Sequence, residues 1–258
     1  MKLSVMSYSF HRSFACGEMT LESYIDWCEA QDVDQIDPWD EHLKPLLKDS
    51  VRLNDIATAI SEVGMTVGCV AVDAAPAYAL SREAFAPQLE KITVWLDLAQ
   101  ALGAAQVRVN AGGPENAGEE TIHLIASHFT EIIEQAQRRN LEVLVENHGG
   151  ATKQPDSLIA ILDATPGLGL LFDSGNWPAN LKADAWHHCG PRARSVHISM
   201  TDLSGSQFRK EMDALKRLMT SAAYKGPWVV ETESHTLSER DAVTKVLNYL
   251  KGESRLDL

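Results

Sequence analysis

Four apolar stretches of this sequence each carry an ionisable side chain where a buried strand would meet a loop. LEVLVENHGG (141–150) ends in Glu146, LFDSGNW (171–177) contains Asp173, SVHISMTD (195–202) contains His197, and KGPWVVETE (225–233) leads to Glu231. Any one of them alone reads best as a side chain that turns to solvent or pairs with a neighbouring cation. As a set they read differently. Three carboxylates and one imidazole form an oxygen-rich donor set, which suits a hard or borderline divalent cation: Mn²⁺ or Mg²⁺ first, with Zn²⁺ also accommodated. Without a cation, three carboxylates gathered at one place repel and raise one another's pKa.

No short spacing unites these residues, so a fold has to. The chain alternates apolar runs with stretches of helical periodicity. Strands are expected at Leu3–Tyr8, Val33–Asp37, Met65–Val72, Gln106–Val109, Leu141–Glu146, Gly169–Phe172, Ser195–Ile198 and Pro227–Val230. Between them Leu21, Tyr24, Ile25 and Cys28 share one helix face behind an N-cap at Thr20, the i, i+3, i+4, i+7 pattern of an amphipathic helix. Further helices are expected over Asn54–Val63, Ala79–Leu102, Glu119–Arg139, Asp156–Ala164, Asp184–Gly190 and Phe208–Ala223, with a last one capped by Ser238. Strands alternating with helices imply a parallel sheet. Eight such units in 258 residues, with no linker or composition break, favour a single α/β domain over 1–258, a closed (β/α)8 TIM barrel. In that fold the carboxyl ends of consecutive strands surround one mouth, and the four residues converge there.

Composition narrows the function classes. The formal net charge is −13, from 23 basic and 36 acidic side chains, which disfavours a nucleic-acid surface. Four scattered cysteines without a CxxC pair fit a reducing compartment and suggest a cytoplasmic location. The opening MKLSVMSYSFHR is too short and polar in its apolar run for a signal peptide, and no run approaches the ~20 apolar residues of a membrane span. The Gly-rich turn Asn110-Ala111-Gly112-Gly113 lacks the G-x-G-x-x-G spacing of a dinucleotide site.

The motifs VRVNAGG (107–113), LVENHGG (144–150), LFDSGNW (171–177), SVHISMTD (195–202) and KGPWVVETE (225–233), in that order at successive strand ends, resemble the xylose-isomerase-like barrels of the sugar phosphate isomerase/epimerase superfamily. The resemblance covers the whole chain. It implies that Glu146, Asp173, His197 and Glu231 hold one divalent metal ion, and that Glu146 and Glu231 are the acid/base pair of a ketose epimerase. The chemistry is consistent: a cation that chelates a carbonyl and its neighbouring hydroxyl acidifies the adjacent C–H, and two carboxylates can remove and return that proton. The implied function is a metal-dependent isomerase or epimerase of a keto-sugar or related polyol. The alternative is a dehydratase of a keto-cyclitol or dehydroshikimate-like substrate. Arg108, His148 and Asn176 are the expected substrate contacts. Two departures stand out: Asn176 occupies a position that is His in many members, and Met200-Thr201-Asp202 replaces a Lys-Asp pair, which weakens the case for a phosphorylated substrate. The expected partner is a small sugar or polyol, with no nucleic acid and no membrane; a homo-oligomer is compatible with the sequence.

Trp39, Trp177 and Phe10, in loops at strand ends, are candidates for a pocket wall or for packing. His187-His188-Cys189 precedes a strand and so belongs to the opposite face of the barrel. Glu233 is a candidate neighbour of Glu231.

Overall fold

The apolar runs become strands because a parallel strand is buried on both faces and needs apolar side chains on each. A computed structural model describes residues 1–203 and 205–252. It contains β1 (Leu3–Met6), β2 (Gln35–Asp37), β3 (Thr66–Val67), β4 (Cys69–Val72), β5 (Gln106–Val109), β6 (Glu142–Glu146), β7 (Gly169–Asp173), β8 (Ala193–Met200) and β9 (Trp228–Thr232). Their order is β3-β2-β1-β9-β8-β7-β6-β5-β4, and each ladder is parallel.

The ring closes through the stretch expected as one strand, Met65–Val72. It is broken at Gly68 into β3, which pairs with β2, and β4, which pairs with β5. Across the break the Gly68 amide donates to Ile36 O at 2.9 Å, and the Ala71 amide to Pro38 O at 3.0 Å. Two half-strands therefore occupy one barrel position, giving the eight-fold TIM barrel. The residue at the break makes room for a neighbour: a Cβ at position 68 would lie 1.7 Å from Gln35 Nε2, so glycine there lets the Gln35 side chain lie where it does.

The helices are α1 (His11–Ala15), α2 (Leu21–Ala30), α3 (Asp40–Leu43), α4 (Ser50–Glu62), α5 (Arg82–Ala101), α6 (Glu119–Gln137), α7 (Pro155–Ala164), α8 (Ala179–Cys189), α9 (Gly205–Ser221) and α10 (Glu239–Lys251). Thr20 and Ser23 form a reciprocal capping box at α2, and the Ser238 hydroxyl accepts from the Asp241 amide at α10, as the sequence predicts. Helix α4 starts four residues before the expected Asn54, because Asp49 accepts from the Arg52 amide at 2.9 Å and caps it there. None of the described helices is long and apolar enough to cross a membrane.

Alternation along the strands divides the interior in two. Outward-facing Val5, Ile36, Val70, Val107, Val145, Phe172, Ile198 and Val230 join the helices in one continuous apolar core. Inside the barrel the apolar contacts shrink to two small groups: Met6, Ala71 and Val229, and Cys69, Leu144 and Leu171. The rest of the lumen is polar, with Ser4, Gln35, Asp37, Arg108, Glu146, Asp173, Ser195 and His197 all buried.

Candidate functional site

Glu146 and Asp173 are the last residues of β6 and β7. His197, within β8, stands beside Asp173 in register, and Glu231, near the end of β9, stands beside Ser199. One ligand atom from each of the four residues lies within 4.8 Å of every other. Opposite ligands of a cation bonded at 2.0–2.5 Å are about 4–5 Å apart, so the spacing fits one cation.

Each side chain is held by its neighbours. Asp173 Oδ1 accepts from the Gly175 and Asn176 amides at 2.7 and 2.9 Å, while Oδ2 is buried without a partner. The Asn147 side chain grips the Asp173 backbone on both sides, accepting from its amide at 2.7 Å and donating to its carbonyl at 2.9 Å. Glu146 Oε1 accepts from Asn176 Nδ2 at 3.0 Å, and Oε2 lies 3.0 Å from Arg108 Nε in an ion pair. His197 Nδ1 and Glu231 Oε2 are 2.5 Å apart. The loop after β7 approaches β8 closely: a Cβ at Gly175 would fall 2.3 Å from the Ser199 carbonyl oxygen.

The electrostatics are those of crowded like charges. Burial alone would lower the His197 pKa, but Glu231, Glu146 and Asp173 raise it to about 9. Burial, then Glu231 and Glu146, push the Asp173 carboxyl well up. Glu231 moves the other way: burial opposes, yet the charge and hydrogen bond of His197 hold it low. A divalent cation among these groups would relieve the repulsion and engage the unpartnered Asp173 oxygen.

Thus the four expected ligands converge, and Arg108 faces inward beside Glu146. Asn176 stands beside Glu146, to which its side-chain amide donates. His148 is exposed at the rim. The strand ends at Glu146 and the His148 amide turns back to Glu146 O at 2.9 Å, so the two-residue period that would align the side chains is lost. Trp177 and Phe10 are buried against Phe172 and Trp27 and belong to the core. His187 and His188 are exposed on α8, and Glu233 is exposed beyond the end of β9.

Two residues of the mouth escape a reading of the sequence. Asp73, just after β4, accepts from Arg108, from Asn110 Nδ2 at 2.7 Å and from Trp39 Nε1 at 2.7 Å. Tyr8 packs edge-on against Trp39 and stacks on His11, and its phenol is raised by burial and by Glu233, Glu231 and Asp73. Asp73 carries the same signal as Asp173, an acid directly after an apolar run, and that signal could have found it.

Comparison with known proteins agrees with this architecture. Among solved structures the chain superposes on a probable 3-DHS dehydratase involved in petrobactin synthesis from Bacillus anthracis, with a TM-score of 0.77 at 15% identity over 97% of this chain and 99% of that one. It superposes on an L-ribulose 3-epimerase with a TM-score of 0.76 at 15% identity, over 98% and 94%. It superposes on a D-allulose 3-epimerase from Methylomonas sp. with a TM-score of 0.73 at 15% identity, over 98% and 97%. At these identities the likeness establishes the fold. No curated protein matches the sequence. The model of the xylose isomerase-like TIM barrel family matches residues 25–252, and the chain belongs to that family.

Proposed function

We propose that this protein is a divalent-metal-dependent isomerase or epimerase of a keto-sugar or related polyol, working by proton transfer next to a carbonyl. The observation that carries the reading is the convergence of Glu146, Asp173, His197 and Glu231 at the carboxyl ends of four consecutive strands. Their donor set fits Mn²⁺ or Mg²⁺, with Zn²⁺ as the other candidate. Such an ion, when bound, supplies Lewis-acid polarisation of the substrate carbonyl, which acidifies the adjacent C–H.

The protein's own groups do the rest. Arg108 pairs with one oxygen of Glu146 and Asn176 donates to the other, which fixes the position of that carboxylate as the base. Glu231 approaches from β9 and is less deeply buried; it serves as the second proton carrier. Arg108, Asn110 and Trp39, gathered on Asp73, join Tyr8 and His148 near the cluster, and this mixture of polar groups and aromatic faces suits a hydroxylated substrate.

The reading is tested by incubating the purified protein with Mn²⁺ and a panel of keto-sugars and keto-cyclitols in D₂O, followed by NMR. An epimerase yields product labelled with deuterium at the reacting carbon. Loss of water with a new double bond would instead assign a dehydratase, which the same base could drive. Turnover with neither outcome would refute proton abstraction by this pair.

A further inference from the structure

Besides the four clustered residues, the barrel lumen contains a carboxylate with no role in the chemistry above. Asp37, the last residue of β2, is 1% exposed. Its Oδ1 accepts from Ser4 Oγ at 2.5 Å and from Gln35 Nε2 at 2.9 Å, while its Oδ2 is buried without a partner. Buried polar atoms are rarely left unmatched, because desolvation without a hydrogen bond is costly. The fold has also made room for this group. A Cβ at Gly68 would lie 2.5 Å from Asp37 Oδ1 as well as 1.7 Å from Gln35 Nε2, so the strand break at Gly68 accommodates the Gln35–Asp37 pair.

His197 Nε2 is a second buried atom without a partner. Both side chains face the lumen, and Gln35, which donates to Asp37, pairs in register with Ser4. Ser4, Val229 and His197 lie on a single register row across β1, β9 and β8, and the Ser4 hydroxyl is what holds Asp37. The imidazole also acts electrostatically on the Asp37 carboxyl. The other ring nitrogen, Nδ1, faces Glu231 and the cluster. A cation there would take the Nδ1 lone pair, so the ring proton would have to reside on Nε2 and point into the lumen. That N–H needs an acceptor, and the free oxygen of Asp37 is an unmatched one.

We propose that Asp37 is a positioning residue for His197: its Oδ2 accepts the Nε2–H through one bridging water, fixing the tautomer and ring orientation that present Nδ1 to a divalent cation. The inference rests on the reading of the cluster as a metal centre. Asp37 touches neither cation nor substrate; it acts through the imidazole. Loss of the carboxylate from carboxylate–imidazole–metal arrangements of this kind typically costs about 10–100-fold in metal affinity. Ser195 Oγ, two residues earlier on the same face of β8, is also buried and unpartnered, which makes it the natural competitor for the same N–H.

The test titrates Mn²⁺ into the purified full chain and reads free ion by electron paramagnetic resonance. Asp37→Asn and Asp37→Leu are expected to weaken Mn²⁺ binding about 10–100-fold, and Ser195→Ala to leave it unchanged. Wild-type binding by both Asp37 variants, or a loss confined to Ser195→Ala, would overturn the proposal. Should the variants fold poorly, ¹⁵N–¹H correlation spectra of histidine-labelled wild-type protein loaded with diamagnetic Zn²⁺ decide it. The expected signature is a His197 Nε2–H protected from exchange, whereas a proton on Nδ1 or a freely exchanging Nε2–H would refute it. If wild-type protein binds no divalent ion, the metal reading and this inference fall together; if wild-type binds and Asp37 is silent, only this inference falls.

Discussion

Arg108 Nε lies 3.0 Å from Glu146 Oε2 while its Nη1 meets Asp73, so one buried guanidinium joins the ends of β4 and β6. Its pKa rises further because Glu146 and Asp73 outweigh the burial that opposes them. Removing one member of a buried pair leaves the other charge uncompensated, at about 3–5 kcal/mol. Arg108→Met is therefore expected to lower the melting temperature by roughly 10 °C before any substrate is considered. Scanning calorimetry of the ion-free protein checks this. An unchanged melting temperature would return Arg108 to a purely substrate-facing role.

His197→Ala and Asp173→Ala should each abolish stoichiometric retention of a divalent ion, measured by elemental analysis after gel filtration. Full occupancy in both variants would eliminate the site.

Gly175→Ala should damage the same site from outside it. The added methyl would meet the Ser199 carbonyl at 2.3 Å, so the loop that donates two amides to Asp173 must shift. Overpacking of this kind costs about 1–3 kcal/mol. The expected result is a destabilised protein with weaker Mn²⁺ binding; native stability and affinity together would contradict it.

The aromatic rim has its own pH dependence. His42 stacks on Phe14 with ring centroids 3.8 Å apart, meets Trp39 edge-on, and shares a hydrogen bond with Ser7 Oγ at 2.8 Å. Burial, with His11 assisting, lowers its pKa from 6.5 to about 4. Between those values the unfolded chain binds more protons than the folded one. Stability from this residue is complete above pH 6.5 and is lost as pH falls towards 4, by on the order of 1–3 kcal/mol. Glu239 is depressed instead: burial would raise it, but the Ser13 hydroxyl and the Arg12 and Ser13 amides hold it low. Its contribution is present above the ordinary carboxylate pKa and is lost only as pH falls through its lowered value. Denaturant melts of His42→Phe across pH 4–7 should be flatter than wild type in that window, and parallel curves would rule this account out.

Cleavage of an abasic-site duplex should be absent at physiological salt, since a chain of net charge −13 repels a phosphate backbone. Metal-dependent incision in a gel assay would overturn that expectation.

Much of this arrangement was legible in the sequence because a strand buried on both faces has to be a run of apolar residues, and an acid that ends such a run stands out. Glu146, Asp173 and Glu231 stand out that way, and His197 as an imidazole within such a run. What was not legible depends on partners distant in sequence. Leu3–Tyr8 reads as one strand, yet β1 stops at Met6 and Ser7–Phe10 wind into a 3-10 turn. There the Ser9 hydroxyl donates to Val230 O and accepts from the Thr232 amide, over two hundred residues away. The need for glycine at 68 comes from Gln35, more than thirty residues earlier. His148 shares the parity of Glu146, but the chain leaves the strand at Asn147, whose side chain is committed to Asp173. Asp37 and Asp73 sit at strand ends like the others, and only the assembled lumen distinguishes the carboxylate held by Ser4 and Gln35 from the one held by Arg108.

The pairing of β1 with β9 sets the order of events on the ribosome. Ser9 must wait for Thr232, 223 residues later, which at 5–20 residues per second is about 10–45 s of synthesis. Throughout that interval the first strand lacks the neighbour that closes the ring, and Arg12 and Ser13 lack the Glu239 carboxylate that anchors them. Glu231 arrives on the same final strand. No nascent chain shorter than β9 carries all four clustered residues, so the completed cluster and ring closure are delivered by the same few residues. Until its last strand docks, the growing polypeptide has an open sheet edge and an incomplete cluster.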